Sequence, residues 1–313
     1  PIFNPMIPID KLQDYMLPLH VAQSHHKKLV RRMNVASSRR KQLYHDAFHQ
    51  HLQRGEIIKI STEEALQPIG NYIVPVLVYK EESVTTKLRI CWNLSLKNSN
   101  SKSINDTVLT GLHLIKNLLV HIMALRERRY LVLADIEKAF LRIKFAEKFT
   151  KYFKLLYTDD LSSEPLFYKL IVVTFGLSSS PFILNRVLKY HLENTMATEE
   201  DLAKVCLLLY WAFYLDDLAA SFDTISESKS FVADVIRVLE IGNFRLVKWC
   251  SNNASILEGL SNELLYPADK QNTIDLNTNI SLKEYPSQFS NGCSPVDDGS
   301  DLLPLSLIHI SEP

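Results

Sequence analysis

The chain has 313 residues, enough for about two domains, and its 46% hydrophobic and 22% charged residues are typical of a globular protein with a buried core. No stretch approaches the ~20 uncharged apolar residues of a membrane span, and the N-terminus lacks the pattern of a secretory signal. Because the first residue is not Met, we expect the chain to derive from a longer product. Four cysteines without a CxxC pair argue against a disulfide framework or a zinc knuckle. Eight glycines without GxGxxG or GxxxxGK spacing exclude the common glycine-rich phosphate loops.

The net charge of zero hides an uneven distribution. From Glu258 to the end the chain carries nine acids and two lysines, a net charge of −7, and the preceding residues carry +7. Residues 20–60 hold nine Lys/Arg against Asp46 and Glu56. Such a basic segment can bind phosphates, although a solvated helix face explains it equally well.

The first predicted element is a helix over 22–54, ended by Gly55, because apolar residues recur at helical spacing. His45 and His49 share one face of this helix, near Asp46 and His51, so a metal site is conceivable. Since HExxH is absent, we favour a solvated helix over a set of metal ligands.

The remaining elements follow in chain order. We predict strands at 72–79 and 87–92, a helix at 112–127, a strand at 130–135, a strand pair within 140–157, and a buried strand at 166–175. A helix should start at Ser178–Pro181 and reach His191. The run at 206–215 is predicted as helix or strand, and a hairpin should follow at Asp216–Asp217. We predict a helix at 224–241 and a strand at 244–249 after it. Residues 267–301 are rich in Asn, Ser, Asp, Thr and Pro, and we expect them to be disordered.

Carboxylates at two strand ends are the features with the clearest chemical meaning. Asp135 ends the predicted strand YLVLAD, and Asp216–Asp217 follow the apolar run 206–215. If these strands are neighbours, Asp135 and Asp216 can share two Mg²⁺ ions, which take few protein carboxylates and complete their shell with water and substrate phosphate. Two such ions can activate an attacking 3′-oxygen and stabilise a leaving pyrophosphate. Taken singly, an acid at a strand end is more often an ordinary turn residue.

Six strings in order resemble the polymerase of BEL/Pao-type LTR retrotransposons, which is a reverse transcriptase. They are TTKLRICWNLS (85–95), SIND (103–106), ADIEKAF (134–140), VTFGLSSSPF (173–182), YLDDL (214–218) and FRLVKWCSN (244–252). VTFGLSSSPF contains the FGL-x-x-x-P turn of reverse transcriptases, and YLDDL contains their YxDD box. ADIEKAF contains their first acidic motif, D-x-x-x-x-F/Y, which starts at Asp135. The resemblance covers about residues 20–258 and identifies the chain as a fragment of a retrotransposon pol polyprotein.

The resemblance implies an α+β, right-hand polymerase fold, with an antiparallel palm sheet and packed helices, fingers and a truncated thumb. It divides the chain into an N-terminal extension (1–19), fingers and the start of the palm (20–133), a palm with the catalytic carboxylates (134–258) and an acidic, disordered tail (259–313). It also implies RNA-directed DNA polymerase activity by two-metal nucleotidyl transfer onto a primer 3′ end.

The same resemblance assigns roles to individual residues. Asp135, Asp216 and Asp217 become the catalytic, metal-binding acids. Five further residues become nucleotide-binding. Phe140 is the steric gate against ribose, and Phe175 and Gly176 lie in the turn under the nucleotide. Arg89 and Lys248 are the cations of this site. The basic segment becomes a template contact, with Arg39, Arg40 and Lys41 on the phosphates.

The implied cofactor is Mg²⁺ or Mn²⁺, and the implied partners are an RNA or DNA primer–template and deoxynucleoside triphosphates, with no membrane. The expected location is a cytoplasmic retrotransposon particle or the nucleus; the oligomeric state is open. Asn93 departs from the Asp usual in the family, so the alternative is a nucleic-acid-binding relic without turnover. An RNA-dependent RNA polymerase is the second alternative, against which Phe140 and Tyr214 argue.

Overall fold

The computed structural model describes residues 13–68, 70–80, 87–112, 114–115, 117–159 and 163–266. In these ranges the chain combines helices with antiparallel strands, which confirms the expected α+β class. None of the helices described there is both long and apolar enough to cross a bilayer. The predicted disordered tail, 267–301, and most of the proposed N-terminal extension lie outside the described residues.

The elements are numbered here in chain order. The helices are α1 (Leu19–Asn34), α2 (Ser38–Gln53), α3 (Thr62–Ala65), α4 (Leu118–Arg126), α5 (Glu147–Thr150), α6 (Ser180–Thr198), α7 (Ala203–Ala212) and α8 (Ile225–Ile241). The strands are β1 (Ile57–Lys59), β2 (Val74–Tyr79), β3 (Leu88–Asn93), β4 (Tyr130–Ile136), β5 (Lys154–Tyr157), β6 (Leu166–Leu170), β7 (Phe213–Tyr214), β8 (Asp217–Phe222) and β9 (Leu246–Ser251). Short 3₁₀ turns lie at Gln13–Tyr15, Ile104–Thr107, Ala139–Arg142, Glu200–Leu202 and Ala254–Leu257.

The strands form three antiparallel sheets. The largest has the order β7-β8-β4-β9, and β1-β6-β5 and β2-β3 form the other two. Val132 on the central strand β4 and Trp249 on β9 are fully buried in the common hydrophobic core. The four-stranded sheet therefore has a buried central strand that can hold side chains rigidly at its ends.

Helix α8 supports this sheet by packing on β4 and β8. It buries an apolar stripe that includes Phe231, Val235 and Leu239, at the spacing of one helical face. Its start is fixed by a capping box, in which the Thr224 side chain accepts from the Glu227 N–H and the Glu227 side chain accepts from the Thr224 N–H. The predicted helix at 224–241 is thus confirmed almost to the residue.

The single helix predicted over 22–54 is wrong, because the chain breaks into α1 and α2 around residues 35–37. The Ser37 backbone is extended, and its hydroxyl accepts from the Arg40 N–H, so it starts a new helix. Apolar spacing alone does not detect this break, since both helices bury residues in the same core. Gly55 follows α2 with a φ of +66°, consistent with its predicted role in ending that helix.

The histidines of the predicted metal alternative are instead tied to separate partners. His45 Nδ1 hydrogen-bonds with the Tyr157 hydroxyl at 2.6 Å, and His49 Nε2 with Asp159 at 2.8 Å. His26 of α1 bonds to Thr158 in the same way, at 2.9 Å. These contacts hold α1 and α2 against the end of β5. The favoured prediction, a helix face open to solvent, is therefore only partly right.

Three further predictions need correction. The strand pair expected within 140–157 is only β5; the earlier part is a 3₁₀ turn and α5, because Phe140 and Phe149 bury their rings from short helical turns. The helix expected at 112–127 starts at Leu118, where the Asn117 side chain accepts from the Leu119 N–H. The ambiguous run 206–215 is mostly helix α7 and becomes strand only at β7.

Replacing Thr224 with Ala should lower the free energy of unfolding by about 1 kcal/mol, since α8 loses its side-chain cap. The Thr224→Ser variant keeps the hydroxyl and should match the wild type in urea denaturation. An equal loss of unfolding free energy in both variants would mean that the hydroxyl cap contributes nothing to stability.

Candidate active site

Three carboxylates converge at one end of the four-stranded sheet. Asp135, near the end of β4, lies directly opposite Asp217, the first residue of β8. Asp216 occupies the two-residue loop between β7 and β8, and its carbonyl accepts from the Ile136 N–H at 2.9 Å. Strand β4, which carries Asp135, and strand β8, which begins at Asp217, are therefore neighbours, as metal sharing requires.

The site holds more negative charge than its surroundings favour. Burial raises the pKa of Asp216 to about 6, and the neighbouring Asp135 adds to the rise. Burial likewise raises the pKa of Asp217 to about 7, with further repulsion from Asp216 and then Asp135. A cation placed among these groups would relieve both the desolvation and the repulsion.

Lys248 supplies one such cation. Its Nζ lies 2.6 Å from Oδ2 of Asp135, with both side chains largely buried. Burial still raises the pKa of Asp135, but the bond and charge of Lys248 act against the rise. Lys248 has a left-handed φ of +58° at the place where the β4–β9 register shifts between Leu133 and Asp135, so a bulge in β9 aims the amine at the carboxylate.

Strained backbone surrounds the acids. Besides Lys248, Leu215 in the β7–β8 loop has a φ of +59°, and Lys138 after β4 has a φ of +53°. A left-handed conformation costs a non-glycine residue about 1–2 kcal/mol. Such strain persists where the surrounding structure over-determines it, which is typical of functional sites.

Phe140 and Phe175 form an aromatic pair beside the carboxylate end of β4. Phe140 is buried in the 3₁₀ turn Ala139–Arg142, and the two ring centroids lie 4.8 Å apart in an edge-to-face arrangement. Gly176 has a φ of +92°, and an added Cβ would lie 2.5 Å from the Trp92 carbonyl oxygen. Only glycine fits this position, where the turn touches the end of β3.

Asn105 holds the same turn and was not singled out from the sequence. Its Nδ2 donates to the Gly176 carbonyl at 2.8 Å, and its Oδ1 accepts from the Ser178 N–H at 3.1 Å. The string SIND carries this residue, but nothing in its composition indicates a partner some seventy positions away. Asn105 therefore positions the turn that precedes α6.

Arg89 on β3 is half-buried and also acts on the carboxylates. Its guanidinium opposes the rise in the pKa of Asp135. Asn93 lies on the same face of β3, four residues further, and its side chain accepts from the Ser95 N–H. Arg89 thus adds a second cationic side chain that acts on Asp135.

The basic residues Arg39, Arg40 and Lys41 belong to another part of the surface, at the start of α2. Arg39 and Arg40 line a small pocket with Tyr79, and the Arg40 guanidinium lies 4.9 Å from the centre of that ring. Lys41 is half-buried and is not among the residues that line this pocket.

Among the described residues, no group of three or more His, Cys, Asp or Glu side chains is arranged to hold a metal ion. The donor chemistry nevertheless fits Mg²⁺ or Mn²⁺, which bind through one or two carboxylates together with substrate phosphates. The raised pKa values of Asp216 and Asp217 reflect the excess charge that a divalent cation would neutralise.

Replacing Asp217 with Asn should raise the melting temperature at about pH 8 without divalent cations, and change it little at about pH 4. A carboxyl whose folded pKa is raised binds protons that the unfolded chain releases, so its stability contribution falls as the pH rises from the ordinary value, 3.8, to about 7. The matched control is Asp223→Asn, at an exposed aspartate after β8. A gain independent of pH would contradict the electrostatic cause.

Comparison with known families gives a match that covers more than half of the chain. The family model described as reverse transcriptase (RNA-dependent DNA polymerase) matches residues 78–248, a segment that contains β3, the three carboxylates, the Phe140–Phe175 pair and Lys248. No curated protein matches the chain significantly.

Proposed function

Because this chain belongs to the reverse transcriptase family, we propose that it is a retrotransposon RNA-directed DNA polymerase domain that extends a primer by two-metal nucleotidyl transfer. The observation that carries the proposal is the convergence of Asp135, Asp216 and Asp217 at one sheet end within the matched segment. In the reaction the primer 3′-oxygen attacks the α-phosphorus of a deoxynucleoside triphosphate, and pyrophosphate leaves.

In this mechanism Asp135 and Asp216 would hold the cations, and Asp217 would add negative charge beside them. Bound Mg²⁺ or Mn²⁺ would favour the ionised 3′-oxygen and offset the charge of the leaving pyrophosphate. Asp135 and Asp217 lie on paired strands, and Asp216 lies in the two-residue loop between β7 and β8, so little reorganisation is needed to orient the reacting groups. Burial of the acids would strengthen their attraction for bound cations, because the low local dielectric strengthens interactions between opposite charges.

Lys248 and Arg89 are the proposed triphosphate contacts. The 2.6 Å bond between Lys248 and Asp135 places a cation beside the acids, and Arg89 acts on the same carboxylate from the β2–β3 hairpin. A guanidinium can hold phosphate oxygens through two parallel hydrogen bonds. These two side chains could therefore bracket the triphosphate from different strands.

Phe140 is the proposed steric gate, with Phe175 and Gly176 forming the surface under the nucleotide. The edge-to-face contact holds the Phe140 ring against Phe175, and Gly176 keeps the backbone close to β3. A ring fixed in this way would crowd a 2′-hydroxyl and favour deoxynucleotides.

We also propose several finer assignments for this chain. They comprise the BEL/Pao subtype and pol polyprotein origin, the division into fingers, palm and truncated thumb, the use of RNA and DNA templates, phosphate contacts by Arg39, Arg40 and Lys41, and location in a cytoplasmic particle or the nucleus. The order of the six strings along the chain supports the BEL/Pao subtype and the polyprotein origin, and the exposed Arg39 and Arg40 support the phosphate contacts.

The deciding experiment is primer extension with Mg²⁺. We expect Asp135→Asn and Asp216→Asn to reduce extension by at least about a hundredfold, because each removes a charge that the transition state requires. Asp223→Asn, at an aspartate beyond the end of β8, serves as the control and should keep wild-type activity. Full activity in Asp216→Asn would refute the assigned chemistry.

The same assay distinguishes the proposed polymerase from the alternative, a catalytically inactive, nucleic-acid-binding relic. Asn93, where the family usually has Asp, favours that alternative. Binding of primer–template without any metal-dependent extension by the wild-type chain would establish it.

Phe140→Val should raise the ratio of ribonucleotide to deoxynucleotide incorporation, because the smaller side chain leaves room for a 2′-hydroxyl. Phe145→Val is a suitable control, since Phe145 stacks on Phe153 rather than on Phe175. The ratio is measured in single-nucleotide extension, which cancels any loss of folded protein. An unchanged ratio in Phe140→Val, in an active preparation, would reject the gate.

A further inference from the structure

The rings of Phe140 and Phe175 lie on two turns that are joined to each other at one end. Phe140 is 7% exposed in the 3₁₀ turn Ala139–Arg142, and its ring centroid lies 4.8 Å from that of Phe175. Directly after this turn, the Ile143 carbonyl accepts from the Val173 N–H at 2.8 Å, shortly before the second turn. Backbone hydrogen bonding therefore ties the end of the first turn to the start of the second.

The far end of the Phe175 turn is held by Asn105. Its Nδ2 donates to the Gly176 carbonyl at 2.8 Å, and its Oδ1 accepts from the Ser178 N–H at 3.1 Å. The hydroxyl oxygens of Ser178 and Ser179 are buried and have no hydrogen-bond partner in the described part of the chain. These two hydroxyls therefore add no support, whereas Asn105 supplies two bonds from a segment some seventy positions earlier.

The near end of the Phe140 turn is held by Arg142. Its Nη2 donates to Oε2 of Glu137 at 3.1 Å, and its Nε donates to the Glu137 carbonyl at 3.4 Å. These bonds reach back across Lys138, which has a left-handed φ of +53°. Such a conformation persists only where the surrounding structure holds it. Arg142 therefore helps to keep the turn that carries Phe140 in place.

The contact between the two rings does not by itself fix their spacing. Edge-to-face aromatic pairs are favourable at centroid distances from about 4.5 to 7 Å, so Phe140 could move away from Phe175 and keep the interaction. A side chain that selects a substrate must be held within about 0.5 Å by the residues around it. Asn105 and Arg142 supply that restraint, one for each turn.

We propose that Asn105 and Arg142 are positioning residues for sugar selection, which hold Phe175 and Phe140 close enough together to exclude a ribose 2′-hydroxyl. The proposal rests on the proposed function, which supplies the nucleotide. It deepens that function, because it places selectivity in the spacing of a ring pair and in the two supports of that pair, rather than in Phe140 alone.

The test is single-nucleotide extension by the whole chain, and the readout is the ratio of kcat/KM for a ribonucleotide to kcat/KM for the deoxynucleotide. Asn105→Ala should raise this ratio about tenfold, because the Phe175 turn loses two hydrogen bonds. Arg142→Ala should raise it by about threefold, because the ion pair with Glu137 is partly exposed and contributes less. The ratio cancels any loss of folded protein.

Ser95→Ala and Arg245→Ala are the matched controls. Ser95 Oγ accepts from the same Nδ2 of Asn105 at 2.8 Å but lies outside the turn. Arg245 Nη1 lies 3.9 Å from Oε2 of Glu137 and also lies outside the turn that it adjoins. Both control variants should keep the wild-type ratio. In Phe140→Val there is no ring left to hold, so adding Asn105→Ala should change the ratio little.

An unchanged ratio in Asn105→Ala or in Arg142→Ala would overturn the proposal. An equal rise in the matched control, or an undiminished rise in the Phe140→Val background, would also overturn it. If an alanine variant does not fold, Asn105→Asp or Arg142→Lys takes its place, because each keeps one of the two bonds. The ratio should then rise by a smaller factor, and an unchanged ratio counts equally against the proposal.

Hydrogen exchange of the Ser178 amide tests the support by Asn105 without catalysis. This N–H should exchange faster in Asn105→Ala than in Ser95→Ala, because only the first variant removes its acceptor. Equal rates would overturn the proposal even for an inactive chain. A wild type that extends neither nucleotide would instead reject the proposed function, and the exchange rates would still decide whether Asn105 holds the turn.

Discussion

Antiparallel hydrogen bonding between β4 and β8 sets the register on which the candidate active site depends. It brings Asp135 opposite Asp217 and leaves Asp216 in the loop one position earlier. A slip of one residue would turn every side chain of the strand to the other face of the sheet. Buried Val132, buried Leu218 and the apolar face of α8 disfavour such a slip, so the hydrophobic core specifies the geometry of the charges.

The hydrophobic core must also offset the loss of stability that the candidate active site causes. Buried carboxylates that repel one another, and left-handed backbone at Lys138, Leu215 and Lys248, both lower stability. The compensation comes from the tightly packed strands on either side, with Trp249 fully buried one residue after the strained Lys248. The Lys248–Asp135 bond contributes as well, because it satisfies an otherwise desolvated acid.

Much of the sheet was predictable from sequence because its strands and α8 have strong apolar patterns and clear caps. That the strand carrying Asp135 neighbours the hairpin carrying Asp216 and Asp217 followed from strand ends and family order. The break at Ser37 was not predictable, since a single hydroxyl cap interrupts an unbroken apolar period. The left-handed Lys248 was equally hidden, because neither Lys nor its neighbours are residues that favour a positive φ. The role of Asn105 depends on contacts that join distant segments, which local patterns do not encode.

The close approach of Gly176 to the Trp92 carbonyl has an evolutionary consequence. Any side chain at position 176 would collide with the backbone of β3 and adopt an unfavourable φ, so the position is closed to substitution while β3 stays in place. If this turn lies under the incoming nucleotide, as proposed, a change in nucleotide preference must come from the side chains around Gly176. Phe175 is half-buried and can be substituted, whereas any substitution of Gly176 would collide with the backbone of β3.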